Sequence, residues 1–437
     1  MLAMTSFDRI QNVLRSGFAR NVMVVASGTA GAQVIALAAI PLLTRLYGPE
    51  AYGELGAFTA ALAIIAPIAA LTYPTAIVMQ PDDRSAIGVA RLSLLLALGM
   101  AAALAIASLV MSTLFQSDGL PSVLATVVWL LPMALVFNAA REVGLQWLIR
   151  KQCFRVTATI AVLQAAVVNL GKALGGWLHP QALTLIAVTV AGALFHAVLL
   201  WTGIRRTHKA LPVLGDAIEG RTSLAELAVS NRDFPLFRAP RVLINSLAQS
   251  LPVIMLISLF GTAEAGYFTA LMVLLNAPVT LLGKSVEDVF YPRIVGLYRQ
   301  GKDVRKAIRR STLVLASVAL LPFAVVIASS PWLIPLGLGA EWADAASYAQ
   351  WLALWTFCVL ISRPSLAAIP PLGLQSAHLI LAVLSLVMRF SGLWVGAIVF
   401  SSDQVSVALF AVSGVITNSV LLLMVDRRAA RATRRGR

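Results

Sequence analysis

Basic side chains inside long apolar runs are the residues of this chain that could do chemistry. They are Arg141, Lys172, Arg241, Arg363 and Arg389. A charged group at membrane depth is costly, usually faces an internal cavity, and marks a substrate or ion pathway. Guanidinium groups bind carboxylates and phosphates through paired hydrogen bonds, so this cationic set favours an anionic ligand over a cationic one.

Each of these cations also has a purely structural explanation. Arg141 can pair with the glutamate that follows it. Arg241 and Arg363 lie near the inner boundary of the membrane and Lys172 near the outer one, so all three can extend to water. Arg389 lies nearest the centre of an apolar run, which favours a cavity-facing position.

Neutral amide side chains occur at the same depth. They are Gln33, Gln164, Asn169, Asn245, Gln249 and Asn276. Asn245 and Gln249 are four residues apart and would share one helix face. Amides at such positions can bind sugar hydroxyls, and they can equally form hydrogen bonds between helices.

Motifs of other chemistries are missing from the sequence. Gly283-Lys284-Ser285 resembles the end of a phosphate-binding loop, but that motif needs a glycine where Pro278 stands. The four histidines are scattered and the two cysteines lie in different halves, which argues against a metal site or a disulfide framework. We therefore predict a protein without cofactors that is not an enzyme.

The composition is that of a membrane protein. Of the 437 residues, 59% are hydrophobic and 12% are charged, whereas soluble domains carry about 25% charged residues. The net charge of +15 is explained by basic cytoplasmic loops and does not indicate a nucleic-acid partner.

The apolar runs predict an all-α integral membrane protein with about twelve transmembrane helices in two six-helix lobes around a central cavity. The predicted spans are 22–44, 53–79, 86–114, 122–148, 156–177, 181–204, 238–260, 265–291, 311–330, 345–367, 376–399 and 404–425. We predict an N-terminal lobe over 1–204, a cytoplasmic linker over 205–237, and a C-terminal lobe with a basic tail over 238–437.

The distribution of positive charge supports this layout. Only Arg45 falls in an outer loop, and the other basic residues lie within spans, on the inner side or at its border. Adding or removing one span would invert every later loop. Both termini are therefore expected to be cytoplasmic, and the two lobes to be a parallel repeat.

A short polar hinge occurs once in each half. The first copy is Pro41–Gly53 (PLLTRLYGPEAYG) and the second is Leu259–Gly266 (LFGTAEAG), with Gly53 matching Gly266 in register. We predict an outer hairpin that begins each lobe, with Arg45 near Glu50 or Glu54. An outer loop is also predicted over 331–344.

Four segments in order resemble Wzx-type flippases for lipid-linked oligosaccharides. They are Ser27–Gln33 (SGTAGAQ), Pro41–Gly53, Asp233–Pro252 (DFPLFRAPRVLINSLAQSLP) and Leu338–Gln350 (LGAEWADAASYAQ). The chain departs from the family at Thr72-Tyr73-Pro74, where Arg-Tyr-Glu is common, and at Arg363, where a small polar residue is common. Of the family's cations, only Arg389 is carried over by position.

This resemblance implies an inner-membrane transporter with two lobes that alternate between inside-open and outside-open states. Its substrate would be an undecaprenyl-pyrophosphate-linked O-antigen or exopolysaccharide unit. Its expected partners are that oligosaccharide, membrane lipid, and the polysaccharide polymerase and chain-length proteins. The alternative is a cation-coupled multidrug antiporter of the same superfamily, which would usually have a buried acid in span one or seven, where this sequence has none.

Overall fold

The computed structural model describes residues 17–114, 122–207, 223–300 and 303–435. Within these ranges the chain is helical and contains no strand. The α-helices are α1 (Gly17–Leu46), α2 (Pro49–Ala69), α3 (Asp83–Leu114), α4 (Ser122–Arg150), α5 (Phe154–Leu178), α6 (Ala182–Thr207), α7 (Leu224–Ser230), α8 (Ala239–Leu259), α9 (Thr262–Arg299), α10 (Val304–Leu338), α11 (Ala345–Ile361), α12 (Arg363–Ala368), α13 (Gln375–Phe400) and α14 (Asp403–Arg435). Short 3₁₀ segments span Tyr73–Met79 and Ala340–Trp342, and a π-helical turn spans Phe234–Arg238.

The membrane-protein fold predicted from the sequence is confirmed. Eleven helices of the described ranges are long and apolar enough to cross a membrane. The remaining predicted span, 122–148, corresponds to α4, a helix of 29 residues. Each of the twelve predicted spans therefore lies largely in helix, with turns at 70–72 in the second span and at Ser362 in the tenth.

Several helices extend beyond the predicted spans. α10 contains 35 residues and includes Pro331 and Pro335, so the prediction of an outer loop from residue 331 was wrong. The segment 331–338 is apolar (PWLIPLGL), and its two prolines, a residue type that usually breaks a helix, do not end α10. At the start of α10, the Asp303 side chain accepts a hydrogen bond from the Lys306 backbone N–H at 3.0 Å, a typical N-cap.

The chain divides into two compact units. The first contains the described residues of Met1–Ala39 and Ala57–Leu251, and the second contains Ile40–Gly56 and the described residues of Pro252–Arg437. The predicted boundaries at 204/205 and 237/238 stay a prediction, because part of the linker, residues 208–222, lies outside the described residues.

In the first unit, the second span is interrupted and the linker binds at the interruption. Leu71 and Thr72 have positive φ angles of 47° and 57°, and the chain then turns into the 3₁₀ segment. The Tyr73 hydroxyl donates to the Ala228 carbonyl at 3.1 Å, and the Thr72 hydroxyl donates to the Phe234 carbonyl at 3.2 Å. The segment Leu224–Arg238 is thereby attached to the C-terminal end of the predicted second span.

In the second unit, an aromatic cluster surrounds Trp342, which is fully buried. Its indole Nε1 donates to the Thr44 carbonyl at 3.0 Å. The rings of Tyr52 and Tyr267 meet it edge-on, with centroids 5.3 and 5.9 Å away. Edge-to-face pairs add about 0.5–1.5 kcal/mol each beyond their buried area. The cluster therefore fixes the first hinge copy within this unit.

Arg45 does not pair with Glu50 or Glu54, so that expectation was wrong. Its Nη2 donates to the Leu336 carbonyl at 2.5 Å. The last carbonyls of a helix have no partner within the helix, and a nearby cation satisfies them. Arg45 thus caps the end of α10.

Ion pairs join helix ends in both units. In the second unit, Asp426 of α14 accepts hydrogen bonds from Arg305 and Arg309 of α10. In the first unit, Asp83 accepts from Arg150 and Lys151. In each case one carboxylate accepts hydrogen bonds from two basic side chains.

Candidate functional site

A cavity of about 340 Å³, here called cavity A, lies within the first unit. Its walls come from α2, the 3₁₀ segment, α4 and the start of α8. The polar lining residues are Thr72, Thr75, Asn138, Arg141, Glu142 and Arg238, and the rest are apolar or proline. The cavity therefore presents two guanidinium groups and one carboxylate.

Arg141 is held by neighbours on its own helix. Its Nε donates to Asn138 Oδ1 at 3.4 Å, and its Nη2 lies 3.7 Å from Glu142 Oε2. Glu142 in turn accepts a hydrogen bond from Gln146 Nε2 at 2.8 Å. The side chain of Arg141 remains 31% exposed. Arg141 thus does both things considered from the sequence: it pairs with Glu142 and it faces a cavity.

Arg238 reaches cavity A because of the linker. It is the last residue of the π-helical turn, and its guanidinium carbon lies 5.9 Å from the centroid of the Phe234 ring. The Phe234 carbonyl is the group that accepts the Thr72 hydroxyl. The attachment of the linker to the interrupted span therefore sets this wall of the cavity.

A second cavity in the same unit, cavity B, has a volume of about 350 Å³. It lies among α2, α4, α5 and α6 and shares only Asn138 and Arg141 with cavity A. Its other polar lining residues are Gln164, Thr189 and His196. Arg141 is therefore the cation common to both cavities.

One face of α8 carries three of the predicted polar residues. Arg241, Asn245 and Gln249 follow one another at intervals of four and are all exposed. The side chains of Asn245 and Gln249 have no hydrogen-bond partner in the described part of the chain. A polar face at membrane depth needs water or a polar ligand, so we interpret this face as lining an aqueous space.

Arg389 lies against aromatic rings in the second unit. Its guanidinium carbon is 4.7 Å from the Trp355 ring centroid and 5.7 Å from that of Phe410. Its Nε is buried with no hydrogen-bond partner among the described residues. A desolvated cation–π contact contributes about 2 kcal/mol, which offsets part of the cost of this charge.

The remaining predicted residues do not line cavity A or B. The Arg363 side chain packs on Gly283 of α9. Lys172, Gln33 and Asn276 are half-buried on α5, α1 and α9. The side chain of Lys284 lies outside the described residues. A ligand role for these residues stays a prediction.

Sequence reasoning missed Arg238, Thr72, Thr75 and His196 as cavity residues. For Arg238 a signal was available, because it precedes Arg241 by one helical turn at the start of the same span. For the two threonines there was none, because their position depends on the interruption of the second span.

The comparisons with known proteins address the family directly. The family model described as "Polysaccharide biosynthesis protein" matches residues 42–347. The chain belongs to this family. The assignment agrees with the motif resemblance described above. No curated protein sequence matches the chain.

Solved structures similar to this polysaccharide biosynthesis protein share its fold. One is an inward-facing multidrug-resistance MATE-family transporter of the MOP superfamily, with a TM-score of 0.64, 16% identity, and coverage of 94% of this chain and 95% of that chain. Another is an outward-facing multidrug-resistance MATE-family transporter of the MOP superfamily, with a TM-score of 0.61, 15% identity, and coverage of 97% of this chain and 98% of that chain. A third is a MOP-superfamily transporter from Pyrococcus furiosus, with a TM-score of 0.63, 15% identity, and coverage of 96% of this chain and 98% of that chain. Its binding pocket is described as having reverse polarity, which suggests a different function. The chain is thus a multi-pass membrane protein that shares the fold of these structures.

Proposed function

We propose that this protein is a flippase of the bacterial inner membrane, with both termini in the cytoplasm. It carries an undecaprenyl-pyrophosphate-linked oligosaccharide from the cytoplasmic to the periplasmic leaflet by alternating access. The observation that carries the proposal is the cationic cavity A, in a chain of the polysaccharide biosynthesis family.

A polar path solves the main physical problem of this reaction. Moving a pyrophosphate and several sugars through hydrocarbon would leave many polar groups without partners, each at a cost of several kcal/mol. The polar face of α8 and cavity A supply partners for the headgroup while the lipid tail stays in the bilayer. ATP is not required, because moving about two negative charges out of an inside-negative cell gains roughly 4–5 kcal/mol at 100 mV.

The basic residues suit the phosphates of such a substrate, and the amide residues suit its sugars. Arg141 and Arg238 are the cations of cavity A and suit the phosphates. Asn245 and Gln249 present free amides one turn apart, which suits sugar hydroxyls. Arg241 lies one turn before Asn245, between the arginines of cavity A and the two amides. Arg389 and Lys172 remain proposed phosphate contacts outside these cavities.

One observation favours the alternative, a cation-coupled multidrug antiporter. Glu54 was placed in an outer loop by the sequence, but it lies in the second turn of α2. Its Oε2 is buried with no hydrogen-bond partner among the described residues. Against this alternative, the one carboxylate among the residues lining cavity A, Glu142, is already paired with Arg141, which leaves little attraction for a cationic drug.

A deletion strain tests the proposal. Loss of the gene should remove the surface polysaccharide and cause lipid-linked oligosaccharide to accumulate at the cytoplasmic leaflet. Re-expression of the wild-type protein should reverse both effects, and a double variant with Arg141→Ala and Arg238→Ala should reverse neither at equal protein level.

Arg155→Ala is the matched control, because Arg155 is exposed on α5 and lines neither cavity. Normal surface polysaccharide in the deletion strain, combined with drug hypersensitivity, would contradict the flippase proposal and support the antiporter.

A further inference from the structure

Cavity B has a charge arrangement that the proposed transport of a large glycolipid does not use. It is separate from cavity A except at Asn138 and Arg141. Its lining contains no carboxylate. Glu142, the partner of Arg141, lines cavity A only. Arg141, which pairs with Glu142 at 3.7 Å, is therefore the one Arg, Lys, Asp or Glu among the described residues that line cavity B.

The hydrogen-bonding groups of cavity B are of two kinds. Asn138 and Thr189 are already engaged: the Asn138 amide donates to the Ala134 carbonyl at 2.9 Å, and the Thr189 hydroxyl donates to the Leu185 carbonyl at 2.7 Å. In contrast, Gln164 and His196 have no side-chain hydrogen bond to any described residue. Three helices thus direct donors into one space: α4 with Arg141, α5 with Gln164 and α6 with His196.

We propose that cavity B binds a small monovalent anion such as chloride. Arg141, Gln164 and His196 can each donate to an anion in this space, and no carboxylate among the described lining residues would repel it. A single guanidinium with neutral donors favours one negative charge over two, which disfavours phosphate. The volume of about 350 Å³ admits the ion together with water.

The position of Arg141 has a consequence for transport, and this second step rests on the proposed function. Because the same guanidinium lines both cavities, an anion in cavity B draws it away from a phosphate in cavity A. By linkage, each ligand weakens the binding of the other by the same factor. The small anion would then occupy the protein in the absence of substrate and leave when the substrate binds.

The first experiment measures anion binding by the full-length protein in detergent. The unfolding midpoint is followed while sodium chloride replaces sodium gluconate at constant ionic strength. A saturable rise with chloride is expected for the wild type, because a ligand of the folded state stabilises it. Gln164→Leu should weaken the apparent chloride affinity at least tenfold. Equal midpoints in the two salts would overturn the proposal.

Gln404→Leu is the matched control, because it makes the same substitution at an exposed residue of α14. It should keep the wild-type chloride dependence. If Gln164→Leu fails to fold, Gln164→Asn keeps the amide but shortens its reach, and it should still weaken chloride binding severalfold. Unchanged affinity in a folded Gln164 variant would contradict the site.

The second experiment tests competition, with inorganic pyrophosphate as the probe for cavity A. Chloride should raise the apparent Kd of pyrophosphate in the wild type and have at least tenfold less effect in Gln164→Leu. If chloride binds but does not change pyrophosphate binding, the shared role of Arg141 is wrong. A deletion strain with normal surface polysaccharide would instead contradict the flippase proposal alone, since chloride binding is measured on the purified protein.

Discussion

Gly53 and Gly266, which match in the two copies of the hinge, lie in direct reciprocal contact within the second unit. A Cβ at Gly53 would overlap the carbonyl oxygen of Thr262, and a Cβ at Gly266 would overlap that of Pro49. Pro49 and Thr262 are themselves equivalent in the hinge register. The contact is therefore self-complementary, as in a two-fold symmetric interface, and it brings the N-terminal ends of α2 and α9 to backbone distance.

Gly53→Ala should separate the two helix ends and destabilise the protein by about 1–3 kcal/mol, the usual cost of overpacking. The unfolding midpoint and the surface polysaccharide level should both fall. Gly99→Ala is the control, because a Cβ there would meet nothing within 4 Å. A midpoint for Gly53→Ala equal to that of Gly99→Ala would contradict the close contact.

The pairing of the two glycines also predicts non-additivity. Once Gly266→Ala has separated the helices, Gly53→Ala should cost much less than it does alone. A double-mutant cycle measured by unfolding should give a coupling of about 1 kcal/mol or more. Strict additivity would show that the two positions do not share one interface.

The attachment of the linker can be tested at Tyr73. Tyr73→Phe keeps the buried ring and removes the hydroxyl that donates to the Ala228 carbonyl. We expect a loss of about 1 kcal/mol and a severalfold drop in polysaccharide export, because the wall that carries Arg238 is less firmly held. Tyr298→Phe, at a residue that is 45% exposed, should change neither. Full export by a destabilised Tyr73→Phe variant would show that the attachment of the linker does not affect substrate binding.

Arg389 has two proposed roles, packing and phosphate binding, and paired substitutions distinguish them. Arg389→Met and Trp355→Leu both remove the cation–π contact, so each should lower the unfolding free energy, with a coupling of about 1–2 kcal/mol. Only Arg389→Met removes the charge. At matched protein levels it should reduce export more than Trp355→Leu does, and equal export by the two variants would leave Arg389 with the packing role alone.

The sequence predicted the helices well because each span needs a long apolar run and each inner loop carries basic residues. It failed at Pro331 and Pro335, where the prolines indicated a loop but α10 continues through both. It also failed for Arg45, because the acceptor, the Leu336 carbonyl, belongs to a helix end nearly three hundred residues away. Charge patterns restrict membrane orientation strongly, but they do not specify which distant carbonyl a side chain reaches.

The candidate site was predicted less completely than the fold. Arg141 was recognised because a charge within an apolar run is conspicuous. Arg238 was passed over because the predicted span boundary made it a border residue, whereas the linker carries it to cavity A. His196 was considered only as a metal ligand. Its position beside Gln164 and Arg141 depends on the packing of three helices, which one sequence does not reveal.

The second unit contains the hinge segment Ile40–Gly56, and this has a consequence for biosynthesis. Tyr47 and Tyr52 are 0% and 7% exposed, and Tyr52 packs on Trp342, which the ribosome adds much later. During insertion, the turn between α1 and α2, with Tyr47 and Tyr52, therefore stays incompletely packed until α9 and the residues around Trp342 have been synthesised. An N-terminal half made alone would lack the burial of these tyrosines and would be a substrate for membrane proteases.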